Sequence, residues 1–382
     1  MTRPIYLDYN ATTPVDPAVR EAMLPYLGEY FGNPSTTHAY GLPVKAAIER
    51  ARGQVASLIG AMPEEIIFTS GGSESDNHAI VGAALANSHK GKHIITMRIE
   101  HPAVLSTCRH LEERLGFGVT YLPVDKYGLV DPDDIRQAIT DKTTLITIMH
   151  ANNEIGTIEP IAEVGEIARE RGIIFHTDAA QSCGKIPVDV NELKVELLTI
   201  AGHKLYTPKG IGALFIGKGV QIDALIHGAG QERGRRAGTE NVSYIVGLGK
   251  ACELARKALS DYGTKVRTLR DRLFAQITDG LGKDNVLLNG HPEKRLPNTL
   301  NISIRGTVGD ELLGRIPEIA ASTGAACHAG STEPSSVLLE MGVSRELALG
   351  ALRLTLGRWS TPEEIDIAAR LIVERTRQHA AP

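Results

Sequence analysis

The chain has 382 residues, of which 42% are apolar and 23% are charged, and its formal net charge at pH 7 is −4. This length accommodates two domains, and the composition is typical of a globular protein. The charge argues against direct binding to nucleic acid and against an anionic membrane surface. There is no 18-residue apolar run and no signal-peptide pattern, and the four cysteines lie far apart. These features predict a cytoplasmic protein with reduced thiols and no membrane span.

The chain begins with two stretches rich in Asn, Thr, Pro and Gly, "YLDYNATTPVDP" and "FGNPSTTHAYG", which we predict to be ordered loops. Seven short runs rich in Ile, Val and Leu follow. They are residues 65–70, 93–97, 119–124, 144–150, 173–180, 197–202 and 212–217. Segments with helical spacing, such as 102–116 and 161–172, separate them. Runs without clean alternation are typical of strands buried on both faces. The pattern predicts an α/β fold with a mainly parallel seven-stranded sheet flanked by helices.

Beyond about residue 255 the pattern changes. A charged helical stretch at 262–277 is followed by "NTLNISIRG" (298–306), and a helix is predicted near the end, at 361–378. We therefore predict a large domain at 15–255. A smaller α+β domain is predicted from 1–14 and 256–382.

Ligands of open parallel sheets bind beyond the carboxyl ends of the strands. The first run leads into Gly71, Gly72 and Ser73, and then into a predicted helix. Glycines that open a helix expose free backbone N–H groups, which suit a phosphate. Taken alone, this pattern is better explained by an ordinary serine-capped turn that binds no ligand.

The later runs end in polar and titratable residues that could bind a ligand or take part in catalysis. The ends carry His101, then Asn152, Asn153 and Glu154, then Asp178 and Gln181, and finally His203 and Lys204. Each residue alone has a structural explanation as a cap or an ion pair. Pyridoxal phosphate is a single ligand that requires all these groups, because a lysine binds its aldehyde, a carboxylate its ring nitrogen and a flat side chain its ring face. No metal site is predicted.

A lone cysteine, Cys327, lies in the small-residue segment "STGAACHAGSTEPSS" at 322–336. A free cysteine is most often a buried and inert side chain. Gly324 and Gly330, by contrast, supply conformational freedom around a thiol that has to move.

Eleven blocks, in order along essentially the whole chain, resemble the NifS/IscS-type cysteine desulfurases, whose family also includes selenocysteine lyases. The blocks are "YLDYNATTP", "FGNPST.H", "FTSGGSESDN", "EHPAV", "NNEIGT", "HTDAAQ", "GHK.Y.PKGIGAL", "RAGTEN", "GAAC", "EPSSVL" and "LRLTLGR". The resemblance implies the type I fold of pyridoxal-phosphate-dependent transferases. It implies conversion of L-cysteine to L-alanine, with the sulfur left as a persulfide on the enzyme and passed to an acceptor protein of unknown identity.

The resemblance also implies residue roles. Lys204 would hold the cofactor covalently, Asp178 would pair with its ring nitrogen, and His101 would stack on its ring and help to move protons. Cys327 would be the nucleophile. The remaining implied contacts are Asn153 and Gln181 near the ring hydroxyl, Gly72, Ser73 and His203 at the phosphate, Thr239 at the phosphate of a neighbouring subunit in a homodimer, and Arg353 with Asn33 at the substrate carboxylate.

Two features depart from the desulfurase pattern. Ala201 stands in "AGHK", where many desulfurases have a serine that binds the phosphate. His328 follows the cysteine, and "GAACH", "NISIRG" and "GQERGRRAGTEN" look more like the selenocysteine-lyase branch. His328 either lowers the pKa of the thiol or serves the acceptor, or it is a solvent-facing loop residue. The alternatives are a selenocysteine lyase and a non-catalytic scaffold. The acceptor could serve iron–sulfur assembly, tRNA thiolation or DNA phosphorothioation.

Overall fold

The computed structural model describes residues 3–324 and 333–379. The predicted Cys327, His328 and Gly330 lie outside these ranges. The strands in chain order are β1 (Ile5–Tyr6), β2 (Ile66–Thr69), β3 (His93–Met97), β4 (Gly118–Leu122), β5 (Thr143–Thr147), β6 (Ile174–Asp178), β7 (Leu197–Ala201), β8 (Gly212–Ile216), β9 (Val286–Leu288), β10 (Thr299–Ile304), β11 (Ile319–Ala320) and β12 (Ala351–Thr355). All seven predicted runs are strands.

Helices separate the strands from β2 to β7 along the chain, as the sequence predicts, whereas only a short 3-10 turn lies between β7 and β8. The helices are α1 (Pro17–Met23), α2 (Gly41–Leu58), α3 (Gly72–Ala86), α4 (Pro102–Leu115), α5 (Pro132–Ala138), α6 (Ile161–Arg171), α7 (Val190–Leu193), α8 (Val242–Leu281), α9 (Gly309–Gly314), α10 (Ser336–Glu340), α11 (Arg345–Leu349) and α12 (Pro362–His379). Within the described ranges, none of the helices is both long and apolar enough to cross a membrane.

The central sheet has seven strands in the order β2-β8-β7-β6-β5-β3-β4, and this confirms the predicted fold class. All neighbours pair in parallel except β8, which runs antiparallel to both β2 and β7. Successive side chains of each strand enter different cores. Ile66 and Phe68 pack in one core, whereas Ile67 packs in the core on the other face. Burial of both faces is why the runs lack alternation.

A second unit surrounds a three-stranded antiparallel sheet of order β12-β10-β9. Its core combines the later part of α8, from Tyr262 to Ile277, with α12 and with Leu7 near the start of the chain. The earlier part of α8, up to Ala255, packs in the core of the large sheet. The predicted domain boundary at 255 thus falls within one continuous helix of 40 residues. The division into two domains stays a prediction.

Candidate active site

The carboxyl ends of the central strands border a cavity of about 530 Å³. Strands β2, β3, β5, β6 and β7 end at this edge, and the antiparallel strand β8 begins there. The fold therefore brings distant parts of the chain to one place. Nine of the predicted site residues line the cavity: Gly72, Ser73, His101, Asn153, Asp178, Gln181, His203, Lys204 and Arg353.

Lys204 ends a short 3-10 turn, Gly202–Lys204, which follows β7 directly. Its Nζ donates hydrogen bonds to the backbone carbonyls of Asn10 at 2.5 Å and Ala11 at 2.7 Å. Burial, followed by the positive charge of Arg353, lowers the pKa of the amine to about 8. An amine with this pKa is substantially neutral near pH 8, so Lys204 can act as a nucleophile or a base.

Asp178 and His101 line the same cavity as the lysine. Asp178 is the last residue of β6, and its Oδ1 accepts a hydrogen bond of 2.8 Å from the backbone N–H of Ala180. Burial raises the pKa of Asp178, whereas the charges of His101 and Lys204 lower it. Burial has the opposite effect on His101, whose pKa it lowers, because the charged form of histidine is the protonated one. A buried carboxylate of this kind favours a cationic partner in the cavity.

His101 is also the N-cap of α4. Its Nδ1 accepts a hydrogen bond of 3.1 Å from the backbone N–H of Ala103. This contact assigns the proton of the neutral ring to Nε2 and restrains the orientation of the imidazole. The same residue thus begins a helix and presents a flat, oriented ring to the cavity.

Two further buried titratable residues, Asp76 and His176, lie near Asp178 and are 3.7 Å from each other. Burial, together with the charge of Asp178, raises the pKa of Asp76 well above its usual range. The buried His176 has a pKa lowered to about 3 by burial, and its ring nitrogens contact Thr147 and Thr199 at 2.9 and 3.1 Å. Burial thus disfavours the charged form of all three groups, whereas the charges of His101 and Lys204 favour the ionised form of Asp178.

The start of α3 forms a cradle for an anion. Gly71 has a φ of 155°, a conformation that favours glycine, and α3 begins at the next residue and runs for 15 residues. The first turn of a helix leaves backbone N–H groups free, and Gly72 and Ser73 of this turn line the cavity. His203, whose Nδ1 contacts Thr12 Oγ1 at 3.2 Å, also lines the cavity.

Arg353 enters the cavity from β12 of the smaller unit. Its guanidinium donates a hydrogen bond of 2.8 Å to Asp8 and a longer one of 3.4 Å to the carbonyl of Asn153. Its Nε is buried without a partner within the described part of the chain. Such an arginine can bind the carboxylate of a ligand, because some of its N–H donors have no partner in the protein.

The N-terminal loop connects these groups, and sequence reasoning assigned no role to its residues. Asn10 donates to the carbonyl of Asn153 at 3.1 Å, and its own carbonyl accepts from Gln181 at 3.0 Å as well as from Lys204. Its side-chain oxygen accepts from the buried Lys185 at 3.2 Å. The polar "YLDYN" after the first apolar residues was the available signal.

Two predicted residues lie away from the cavity. Thr239 lines a neighbouring cavity of about 210 Å³, which shares Ser70, Gly210 and Ile211 with the first. Asn33 is exposed in the loop before α2, where its Oδ1 accepts from the backbone N–H of Ser35 at 2.9 Å. The predicted nucleophile, Cys327, lies outside the described residues.

Comparison with known proteins gives consistent results. Residues 5–367 match the family described as aminotransferase class-V. A protein of Methanosarcina thermophila named cysteine desulfurase IscS is 54% identical over 97% of this chain and 91% of its own length. The mouse protein named cysteine desulfurase is 48% identical over 98% of this chain and 82% of its own length.

Solved structures agree with the sequence relatives. A structure titled NIFS-like protein has a TM-score of 0.92 and 38% identity, and the match covers 98% of this chain and all of that one. A second structure, titled SspA in complex with cysteine, has a TM-score of 0.82 and 39% identity, over 93% of this chain and 99% of its own. The family model matches residues 5–367, and relatives about half identical to this chain match it over nearly its whole length. The chain therefore belongs to the class V aminotransferase family.

Proposed function

We propose that this protein is a cysteine desulfurase, which converts L-cysteine to L-alanine and leaves the sulfur as a persulfide on Cys327. The observation that carries the proposal is the meeting of Lys204, Asp178 and His101 in one cavity beside the start of α3. Relatives named cysteine desulfurase, about half identical over nearly the whole chain, support the same reaction.

The donor set of the cavity fits pyridoxal 5'-phosphate. The α3 N-terminus and Ser73 suit its phosphate, and the amine of Lys204, whose pKa is lowered to about 8, suits its aldehyde. Buried Asp178 suits a protonated ring nitrogen, and the oriented His101 suits the ring face. When bound, the cofactor would supply an electron sink for the bonds at the α-carbon of the substrate.

The protein groups would then act on bound L-cysteine as follows. Arg353 binds the substrate carboxylate, which fixes the α-carbon near Lys204. The amine of Lys204 moves the α-proton, and Asp178 keeps the ring-nitrogen proton in place. The thiolate of Cys327 attacks the substrate sulfur, so an S–S bond forms while the bond from sulfur to the β-carbon breaks. The β-carbon takes a proton, and the products are alanine and the Cys327 persulfide, with no external oxidant or reductant.

A selenocysteine lyase is the second candidate, because "GAACH" and "GQERGRRAGTEN" resemble that branch. Alanine formation from L-cysteine and from L-selenocysteine, measured side by side on cofactor-loaded protein, separates the two functions. Substantial turnover of cysteine supports the desulfurase, and turnover of selenocysteine alone supports the lyase. A protein that binds no cofactor and turns over neither compound would be the non-catalytic scaffold.

The persulfide is proposed to pass to a sulfur-acceptor protein. The three described cysteines, Cys108, Cys183 and Cys252, are unpaired and buried. Free thiols of this kind support a reducing compartment, and we propose a cytoplasmic location.

A homodimer is proposed, in which Thr239 of one subunit binds the cofactor phosphate held by the other. The segment from α1 to α2 supports this arrangement, because it exposes several large apolar side chains close together in sequence: Leu24, Leu27, Phe31, Tyr40 and Leu42. The same segment carries Asn33, which a second copy would have to bring to the substrate.

We expect the protein to sediment as a dimer and Thr239→Ala to weaken cofactor binding by about tenfold, since a hydrogen bond to a charged group contributes about 1.5–3 kcal/mol. Sedimentation and cofactor titration measure the two effects. A monomer with full cofactor occupancy would contradict both the dimer and the role of Thr239.

A substitution at Ala201 is expected to increase the affinity for the cofactor rather than to decrease it. Ala201 lines the cavity and lies against the start of α3, where a Cβ built on Gly72 would be 3.1 Å from the Ala201 Cβ. We expect Ala201→Ser to add a hydroxyl donor for the phosphate and to tighten cofactor binding by about tenfold or more. Equilibrium dialysis measures the change, with Ala201→Cys as the control of similar shape and weak donor strength. Equal affinities for the serine and cysteine variants would contradict a phosphate beside Ala201.

A further inference from the structure

Lys185 is a buried lysine that the proposed reaction does not use. It is 5% exposed and lies in a turn between β6 and α7. Burial, followed by the positive charges of Lys204 and Arg353, lowers the pKa of its amine well below the usual value. Lysine is rarely buried to this degree, because burial of a charged amine costs free energy unless the amine is paired. The contacts of this amine therefore have to explain its position.

The amine of Lys185 contacts two side-chain amides, and both of these residues line the cavity. Its Nζ donates a hydrogen bond of 2.7 Å to Gln181 Oε1 and one of 3.2 Å to Asn10 Oδ1. Neither acceptor belongs to an acid. Even an uncharged amine has two N–H groups, so both hydrogen bonds form in either protonation state of the lysine. Lys185 is thus bound to amides of the candidate active site.

These contacts fix the orientation of both amides. Gln181 Nε2 donates to the backbone carbonyl of Asn10 at 3.0 Å, while its Oε1 accepts from Lys185. Asn10 Oδ1 accepts from Asn298 Nδ2 at 2.9 Å as well as from Lys185, and Asn10 Nδ2 donates to the carbonyl of Asn153 at 3.1 Å. Rotation of the Gln181 amide by half a turn would place oxygen against oxygen at one contact and nitrogen against nitrogen at the other. The hydrogen-bond network therefore permits one orientation.

The orientation of the Gln181 amide decides which group it offers to a ligand. Its oxygen is bound by Lys185 and one N–H is bound by the Asn10 carbonyl, so the group that remains for the cavity is the second N–H of Nε2. An N–H suits an ionised hydroxyl of a ligand, whereas an amide oxygen would suit a protonated one. Hydrogen bonds to charged partners are also the stronger ones. Gln181 is therefore suited to bind an anionic oxygen.

We propose that Lys185 is a positioning residue for the cofactor, which holds the Gln181 amide so that its N–H binds the ionised ring hydroxyl of pyridoxal phosphate. This inference rests on the proposed function. The Asn10 carbonyl that accepts from Gln181 also accepts from Lys204 Nζ at 2.5 Å. The oriented amide and the amine proposed to bind the aldehyde thus share one acceptor. In pyridoxal phosphate the hydroxyl and the aldehyde are neighbouring substituents of the ring, which agrees with this arrangement.

The test compares the affinity of the full-length protein for two compounds, measured by equilibrium dialysis. One is pyridoxal phosphate, and the other is the same molecule with its ring hydroxyl replaced by hydrogen. The variants are Lys185→Met, Gln181→Leu, their double variant and Gln181→Glu. Lys250→Met is the matched control, because Lys250 is a half-buried lysine that pairs with Glu253 and is not among the residues that line the cavity. It should bind both compounds as the wild type does.

We expect Lys185→Met to weaken the binding of pyridoxal phosphate by about tenfold, the effect of one hydrogen bond to a charged group, and to change the affinity for the compound without the hydroxyl by less than about twofold. Gln181→Leu should show the same selective loss. The double variant should bind no more weakly than Gln181→Leu, since both substitutions remove one interaction. Gln181→Glu keeps an oxygen for Lys185 but offers only a second oxygen to the cavity, so it should also lose affinity for pyridoxal phosphate selectively.

Equal losses for the two compounds in Lys185→Met would overturn the positioning role in favour of general support of the cavity. Wild-type affinity for pyridoxal phosphate in Lys185→Met or in Gln181→Glu would overturn it as well. If Lys185→Met does not fold, Gln181→Glu decides the question, because it retains the lysine and changes only the group offered to the cavity. Failure of the proposed function has a different signature: the wild type itself would then neither bind pyridoxal phosphate covalently nor convert L-cysteine.

Discussion

Lys204→Ala is expected to abolish covalent binding of pyridoxal phosphate and to lower desulfuration by at least about 10²–10⁴-fold, the range associated with a positioned proton-transfer group. Lys204 is the lysine that follows β7 at the cavity, and its Nζ is held 2.5 and 2.7 Å from two carbonyls of the N-terminal loop. The measurement is the absorption spectrum of reconstituted protein, together with alanine formation from L-cysteine.

Lys209→Ala is the matched control, because Lys209 lines the same cavity from an exposed position. The control should keep the absorption band of covalently held cofactor. A band that persists in Lys204→Ala would show that another group binds the aldehyde, and the assignment of Lys204 would be wrong.

The pH dependence of cofactor capture tests the environment of the same lysine. Only the neutral amine reacts with an aldehyde, and burial lowers the pKa of Lys204 to about 8 from an ordinary value of 10.5. The rate of capture by cofactor-free protein should therefore rise between pH 7 and pH 9, which is about one pH unit on either side of the pKa. Above about pH 9 the rate should be constant. A rate that still increases tenfold per unit at pH 10 would contradict the lowered pKa.

Cys327→Ser is expected to bind cofactor as the wild type does and to release sulfur from L-cysteine only at background level. A serine hydroxyl does not form a stable bond to the substrate sulfur, so the loss concerns the chemical step and not binding. Sulfide release in the presence of a reducing thiol measures the step, and mass spectrometry of the wild type should find one additional sulfur on the peptide that contains Cys327.

The other cysteines provide the control for this substitution. Burial raises the pKa of Cys108 to about 12, and the pKa of Cys252 to about 12, so neither thiol is ionised near neutral pH. Cys108→Ala should therefore retain turnover, with a modest loss of stability of about 1 kcal/mol. Full activity of Cys327→Ser on L-selenocysteine together with no activity on L-cysteine would favour the lyase, with Cys327 as a selectivity element.

The fold class could be read from the sequence because burial on both faces leaves a local signature. Each strand of the central sheet sends adjacent side chains into two different cores, as Ile66 and Ile67 do, so the run is apolar throughout. Local apolarity does not encode strand direction. The antiparallel direction of β8 was therefore not predicted, although it places Gly210 and Ile211 at the cavity edge.

The long helix α8 illustrates a second limit. Its periodic pattern was recognised from residue 262, whereas the helix begins at Val242. The first turns pack on the large sheet and contain Gly247 and Gly249, small residues that permit close approach to Met23 and Ala51. Tertiary packing stabilises a helix there despite the low helix propensity of glycine.

What the sequence by itself determined is the set of groups at strand ends, since the carboxyl edge of a parallel sheet collects whatever follows each strand. Gly72, His101, Asp178 and Lys204 meet in the cavity for this reason. Only the tertiary structure decided which residues orient them. Asp8 pairs with Arg353 across 345 positions of sequence. Contacts such as this one, or Glu154 with Ser335, join separate units whose approach depends on packing rather than on any local pattern.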